Sequence, residues 1–517
     1  MSLEELVGQK LMIGVSGTRI NSEMIKIFEE THAGGLILYR PNFSSAERLK
    51  RLISDLEEAL GRRLLVAVDH EGGRVIHLAE GVTVFPDNLA LGATQNEGYA
   101  RKQGEIEALE LRRLGIDLNL APTLDVLTET FSPNIGIRSY ARDPDLVSKL
   151  GTARIRGMQA SGLSACAKHF PGQGHSPLDA HLGLPVLSTT WDEMRKIHIK
   201  PFIEAIRSGV DTVMSSHPVY PNLDPAPRCP ATFSKRIIQG YLREELGFRG
   251  VILSDDLEMG ALKEICSASE AAYRAVEAGH DIILLCHDSK VQREAYHSLF
   301  RAYRDKSLSH AGLEESVERI QNLKTKRTER FGRGEPIPER EGQYLAEKIA
   351  RESVRISKNK SIAPFNASWS EAHSISVIFP QISVLKNLIM IEKSLLDEKA
   401  FLKEIFSARG LVPKQIEMVG LDPLEEEIEK VVSAVNSSDL AIFFCYDAHL
   451  YPQCRKLLDA VQSVSKQCLV VLLRDPYDEE FVKEESTCAT AFGFRAVQIK
   501  AVINSLFSLS SLNAAAR

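Results

Sequence analysis

The sequence predicts an α/β protein: a TIM-type (β/α)8 barrel over residues 1–330, a linker over 331–345, and a smaller αβα sandwich over 346–517. Three observations predict it. Short apolar runs alternate with amphipathic stretches through the first part of the chain, the rhythm of parallel βα units. Many of those runs end in a charged or polar residue, as barrel strands do at the face that carries an active site. From Thr325 to Gln343 the composition turns charged with Gly and Pro, "TKRTERFGRGEPIPEREGQ", after which the α/β rhythm restarts.

The apolar runs are, in order, "GGLILY" (Gly34–Tyr39), "LLVAVD" (Leu64–Asp69), "IDLNLAP" (Ile116–Pro122), "LSACAKHF" (Leu163–Phe170), "VDTVMSSH" (Val210–His217), "GVILSDD" (Gly250–Asp256) and "DIILLC" (Asp281–Cys286). Helical pieces such as "SAERLKRLISDLEEAL" and "SEAAYRAVEAG" lie between them. This count suits a closed barrel better than an open doubly wound sheet. No eighth strand is evident, which leaves room for an irregular barrel. The polar ends are Asp69, Asn119, Lys168 with His169, His217, and Asp255 with Asp256. After the linker, "YLAEKIARESVRI" reads as helix and "HSISVIFP", "LAIFFCY" and "CLVVLLRDP" as strands.

Composition narrows the function. A chain of 517 residues with 44% hydrophobic and 26% charged residues is soluble and globular, with material for sizeable cores. A net charge of -6 without a long basic run argues against nucleic acid as partner. The N-terminus "MSLEELVGQKLMIGV" is acidic where a secretory leader needs positive charge. No window approaches the ~18 apolar residues of a membrane span. Eight cysteines lie scattered, several inside apolar runs, as reduced core thiols do. The expectation is a cytoplasmic enzyme without a membrane partner.

The densest chemistry sits in "KHFPGQGHSPLDAHLGLP", Lys168–Pro185. Lys168 and His169 close a strand at the barrel rim, and "PGQG" then stops regular structure. Asp179 and His181 are two residues apart, close enough for a carboxylate to fix an imidazole tautomer in acid/base work. A polar turn with surface histidines is the plainer reading of that pair taken alone. His169, His175 and His181 are spaced by six, which does not match common zinc spacings. His175 is assigned no role.

In "GVILSDDLEMGAL" a buried strand ends at Ser254, Asp255 and Asp256. A carboxylate leaving a barrel strand can act as nucleophile on an anomeric carbon. The alternative is a pair of helix-capping acids, a role Asp256 fits better than Asp255. In "VDHEGGRVIHL" Asp69 ends a strand, and Glu71 and Arg74 could pair with each other. In "NIGIRSYARDP" Arg138 offers a bidentate fork.

Taken together, and in this order, these segments resemble glycoside hydrolase family 3, specifically its bacterial β-N-acetylglucosaminidase branch in two-domain form. "GGLILYRPN", "NLAPTLDV" and "IRSYARDP" extend the resemblance over residues 5–330. It implies Asp255 as nucleophile, His181 as acid/base with Asp179 as its support, and sugar binding by Asp69, Arg138, Lys168 and His169. It implies retaining hydrolysis by double displacement, with no metal and no cofactor, on GlcNAc–(anhydro)MurNAc fragments. Phosphorolysis, another β-glycosidase activity, or an inactive sugar-binding barrel are the competing outcomes. The sequence departs from the branch at Gln173 (His or Asp is usual), Ala180 (Ser) and His70 (Gln). His77 stands where single-domain members carry a sugar-binding Arg. The C-terminal part resembles the second domain of such enzymes, and the oligomeric state is left open.

Overall fold

The computed structural model describes residues 1–179, 183–330, 339–358 and 374–507. The chain forms two compact units. One comprises residues 1–71, 75–83 and 95–342, the other 72–74, 84–94 and 343–517.

The first unit is a closed barrel of eight parallel strands in sequential order. They are β1 (Leu11–Gly14), β2 (Gly35–Leu38), β3 (Leu65–Val68), β4 (Leu118–Asn119), β5 (Ser164–Phe170), β6 (Thr212–Ser215), β7 (Val251–Asp256) and β8 (Ile282–Leu285). Both faces of these strands are covered, which is why they read as continuous apolar runs rather than alternating ones. The strand missing from the sequence reading is β1, "LMIG". It pairs in parallel with both β2 and β8 and so closes the barrel.

Alternate residues fill the interior: Met12, Ile37, Leu65, Ala67, Leu118, Cys166, Met214, Leu253 and Leu284 belong to one buried cluster. Ile320 and Leu323, from the helix His310–Arg330, join the same cluster. Eight strands leave an interior just wide enough for side chains, so the barrel is a packed core and chemistry is confined to its rim. At the C-terminal ends the pairing of β5 with β6 slips between Ala167 and Phe170, and that of β7 with β8 between Leu253 and Asp256. Such irregularities re-aim side chains, and here they fall beside Lys168, His169 and Asp255.

In the second unit six strands lie in the order β11-β10-β12-β13-β14-β9. These are β9 (Arg355–Ile356), β10 (Ile375–Pro380), β11 (Gln415–Val419), β12 (Leu440–Cys445), β13 (Cys468–Leu472) and β14 (Thr487–Thr490). All pair in parallel except β9, which runs antiparallel at one edge. Along β12, Leu440, Ile442 and Phe444 enter one core with the helices Glu398–Ser407 and Ala496–Leu506. Ala441, Phe443 and Cys445 enter a second core with the helices Glu425–Val435 and Pro452–Val464. A sheet buried on both faces by helices is the αβα sandwich expected from the run pattern.

Candidate active site

At the rim of the barrel the ends of β3, β4, β5 and β7 supply a cluster of charged groups. Lys168 is 2% exposed at the end of β5, a burial that only paired charge can sustain. Its ammonium donates to Asp69, just past β3, and to Glu71 Oε1 at 2.6 Å. Glu71 also receives the Arg138 guanidinium bidentately, Nε to Oε2 at 2.9 Å and Nη2 to Oε1 at 2.7 Å. Burial works to raise the Glu71 carboxyl, but the charges of Arg138 and Lys168 overcome it and hold it well below the usual range. Burial likewise opposes the Lys168 ammonium, and Asp69 and Glu71 hold it charged.

Glu71 thus has partners that no local spacing reveals: it bridges Arg138 and Lys168. The Arg138 fork is accordingly occupied, with Nη1 on the Asn134 carbonyl at 2.9 Å and Nη2 3.5 Å from His169 Nε2. Behind Glu71, the fully buried Arg154 takes both oxygens of Glu107 at 2.7 and 2.9 Å and donates to the Glu71 carbonyl at 2.7 Å. That pair fixes the backbone that presents Glu71. Asn119 is a brace rather than a site residue. Its amide exchanges hydrogen bonds with the His70 backbone at 3.0 and 2.9 Å.

His169 is held from the other side. Its Nδ1 lies 2.7 Å from Asp125 Oδ2 and donates to that carboxylate, and its Nε2 faces the Arg138 guanidinium, a donor only, 3.5 Å away. The Lys168–His169 and Phe170–Pro171 peptides are cis.

Asp255, the penultimate residue of β7, remains partly exposed among buried neighbours. Its Oδ1 accepts the Asp256 amide at 2.8 Å. Burial would raise its carboxyl, but the nearby His217, His169 and Lys168 and the Asp256 amide lower it below the ordinary aspartate value. Asp255 is therefore ionised and faces the same cluster. His217, just past β6, has Nε2 3.0 Å from the Asp256 carbonyl and Nδ1 2.8 Å from Thr232 Oγ1. Burial depresses its charge, chiefly against the pull of Asp255.

Asp256 does not cap a helix starting at Leu257. That helix begins at Gly260, behind Met259. Asp256 instead accepts the Glu258 amide at 3.1 Å and meets His287 Nε2 at 3.3 Å. Beyond β2, Tyr39 packs edge-on against His77, with ring centres 5.1 Å apart, and against His287 at 5.3 Å. The charge of Asp69 reaches His77, so this departure from the branch pattern lies on the wall of the cluster.

Asp179 is partly buried and its carbonyl accepts the Gly183 amide at 3.3 Å. Ala180 and His181, and with them the Asp179–His181 pair, lie outside the described residues. His175 is not incidental to the fold: its ring stacks on His198, centres 4.0 Å apart. Burial holds the two rings neutral, His175 down to about 4 and His198 to about 3. His169 and His175 thus take different partners.

Among the described residues, the acid and imidazole side chains close enough to share one metal ion are Asp447, His449 and Asp478, in the second unit. Asp447 pairs there with Arg474, and a guanidinium opposes a cation at the same carboxylate.

Residues 2–323 match the family model described as the glycosyl hydrolase family 3 N terminal domain. A protein named beta-hexosaminidase from Idiomarina loihiensis is 38% identical over 283 residues, which are 54% of this chain and 84% of that protein. Among solved structures, a glycoside hydrolase family 3 beta-N-acetylglucosaminidase from Paenibacillus sp. str. FPU-7 superposes with a TM-score of 0.90 at 30% identity. That match covers 98% of this chain and 97% of that one. NagZ from Neisseria gonorrhoeae, solved in complex with N-trifluoroacetyl-D-glucosamine, is 33% identical with a TM-score of 0.52 over 62% of this chain and 96% of that one. A barrel of eight parallel strands with its charged cluster at the C-terminal rim, and a family match over most of that barrel, lead to one conclusion: the chain belongs to glycosyl hydrolase family 3.

Proposed function

We propose that this glycoside hydrolase is a retaining exo-β-N-acetylglucosaminidase that releases GlcNAc from GlcNAc–(anhydro)MurNAc fragments of peptidoglycan. The observation that carries the reading is Asp255: an ionised carboxylate at the end of β7, beside Lys168, His169 and His217. The names of its relatives, a beta-hexosaminidase and a beta-N-acetylglucosaminidase, support the sugar class.

In this reading catalysis belongs to the barrel domain, residues 1–330, joined by 331–345 to a second domain over 346–517. Asp255 attacks the anomeric carbon, and its carboxylate oxygen forms the bond as the glycosidic C–O bond breaks. His181, supported by Asp179, gives its proton to the departing oxygen, then takes one from the water that frees the sugar. An imidazole titrates near neutrality without help, so no second carboxylate has to be raised by burial. Asp69, Arg138, Lys168 and His169 hold the ring hydroxyls. The Lys168 and Arg138 charges are already balanced by Asp69 and Glu71, so a neutral sugar can enter without unbalancing the cluster. The reading takes the enzyme to act in the cytoplasm; no helix among the described residues is long and apolar enough to cross a membrane.

The test compares 4-nitrophenol release from β-GlcNAc and β-glucose glycosides, each with and without phosphate. The reading expects preference for the GlcNAc glycoside, no acceleration by phosphate, and turnover of GlcNAc–anhydroMurNAc. Formation of GlcNAc 1-phosphate would make the enzyme a phosphorylase instead.

A further inference from the structure

Asp125 lies in "NLAPTLDV", between β4 and the helical turn Gly136–Arg138. Its side chain is fully buried, and a carboxylate in that position is costly unless donors surround it. The donors come from two places. Oδ2 accepts from His169 Nδ1 at 2.7 Å and from the His169 amide at 3.2 Å. Oδ1 accepts from the Gln173 amide at 2.7 Å. One carboxylate therefore grips both the imidazole at the end of β5 and the turn where the following loop begins.

Each grip has a consequence. The first sets the His169 tautomer, because the carboxylate can only accept and the proton must sit on Nδ1. Nε2 is left to accept a hydrogen bond on the side of Arg138. The second fixes the turn Gly172–Gly174, which is already pressed into place. A Cβ at Gly174 would lie 2.0 Å from the Val126 carbonyl oxygen, and one at Gly172 would lie 2.9 Å from His198 Cβ. The Gly172 carbonyl accepts the Tyr220 hydroxyl at 2.8 Å, and the Gly174 carbonyl accepts the Thr128 amide at 3.1 Å. Without the Asp125 contact, the Gln173 N–H would be stranded in a close-packed turn.

We propose that Asp125 is a positioning residue with two arms: it sets His169 to accept from a sugar hydroxyl, and it anchors the root of the loop that carries Asp179. The second arm rests on the reading of His181 as acid/base; the first does not. The substitution Asp125→Asn keeps the shape, but removes the negative charge that both arms draw on and turns an NH2 toward one of the donors, so both arms are weakened. The expected loss in kcat/KM on 4-nitrophenyl β-GlcNAc is about 100-fold. On the 2,4-dinitrophenyl glycoside, whose leaving group needs no proton, it is about 10-fold, the part due to sugar binding.

The tautomer itself is read on the wild-type enzyme, by NMR of 15N-histidine-labelled protein with His169 assigned through His169→Gln. The expected form is Nδ1–H with a strongly downfield proton. An Nε2–H tautomer of His169 would overturn the proposal whatever the variant does. Equal loss on the two glycosides together with a lowered melting temperature would reduce Asp125 to a packing role and overturn it as well. Failure of the underlying reading shows separately, as wild-type enzyme inactive on both GlcNAc glycosides or as an unimpaired Asp255→Ala.

Discussion

Replacing Glu71 by Gln removes one negative charge and almost no volume. Glu71 is 2% exposed and touches two cations, Arg138 at 2.7 Å and Lys168 at 2.6 Å. In the wild type, Asp69 and Glu71 balance Lys168 and Arg138; in Glu71→Gln one cation is left over in the same buried volume. Each contact is worth about 6 kcal/mol at an effective dielectric of about 20, before the desolvation cost that offsets most of it. Removing one partner of a buried pair costs a net of about 3–5 kcal/mol. For a unit of this size that lowers the melting temperature by roughly 4–7 °C, which thermal unfolding followed by circular dichroism measures.

The pH dependence gives the same test a second dimension. The Glu71 carboxyl is held below its unfolded value, so its stabilisation is complete above that value and is lost as pH falls through the folded one. The gap between wild type and Glu71→Gln is thus constant above about pH 5 and narrows in acid. A loss below about 1 kcal/mol at neutral pH, or a gap that widens in acid, would refute the charge-balance argument.

Three further outcomes follow from particular residues. His175 and His198 are neutral in the fold down to about 4 and about 3, while the unfolded chain protonates both near 6.5. Stability therefore declines as pH drops below about 6, by up to about 2.7 kcal/mol per unit from this pair, and His198→Gln flattens that decline in urea titrations. Of the eight cysteines, Cys266 alone is partly exposed, so a disulfide-forming thiol reagent should modify about one thiol in native protein and all eight in denaturant. Several thiols reacting at once without denaturant would contradict the buried placement. His181→Asn should reduce turnover of 4-nitrophenyl β-GlcNAc by about 100-fold or more, and that of the 2,4-dinitrophenyl glycoside much less. Equal losses on both would remove His181 as proton donor.

The sequence was most legible where barrel geometry forces a pattern. Seven strands stood out because burial on both faces makes them uninterrupted apolar runs, and their polar ends pointed to the rim. The strand β1 was hidden because only Lys10 separates it from the helix Leu3–Gln9. Val7, Leu11, Met12 and Ile13 then read as parts of one N-terminal stretch. In the second unit β11, "QIEMV", mixes buried and half-buried residues at a sheet edge, and β9 has two residues, so neither forms an apolar run.

Within the site, the sequence brought forward Asp69, Arg138, Lys168, His169 and Asp255 as separate candidates, but not how they engage. Glu71 meets Arg138 and Lys168 across 67 and 97 positions of chain, and Asp125 meets His169 across 44. No local spacing encodes such pairs, because they arise when neighbouring barrel strands bring their ends together. Asn119, noted only as a polar strand end, and Asp256, read as a helix cap, take another role. A polar residue at a strand end can equally well brace a loop backbone, as these two do.

The central claim, that Asp255 forms a covalent bond with the sugar, is tested most directly by trapping. Enzyme incubated with a 2-acetamido-5-fluoro glycosyl reagent should accumulate one glycosyl group, and peptide mass analysis should place it on Asp255 within "GVILSDDLEMGAL". A stoichiometric adduct on another carboxylate, Asp69 or Asp256 for example, would contradict the assignment. So would an enzyme that turns over GlcNAc glycosides with inversion and accumulates no adduct.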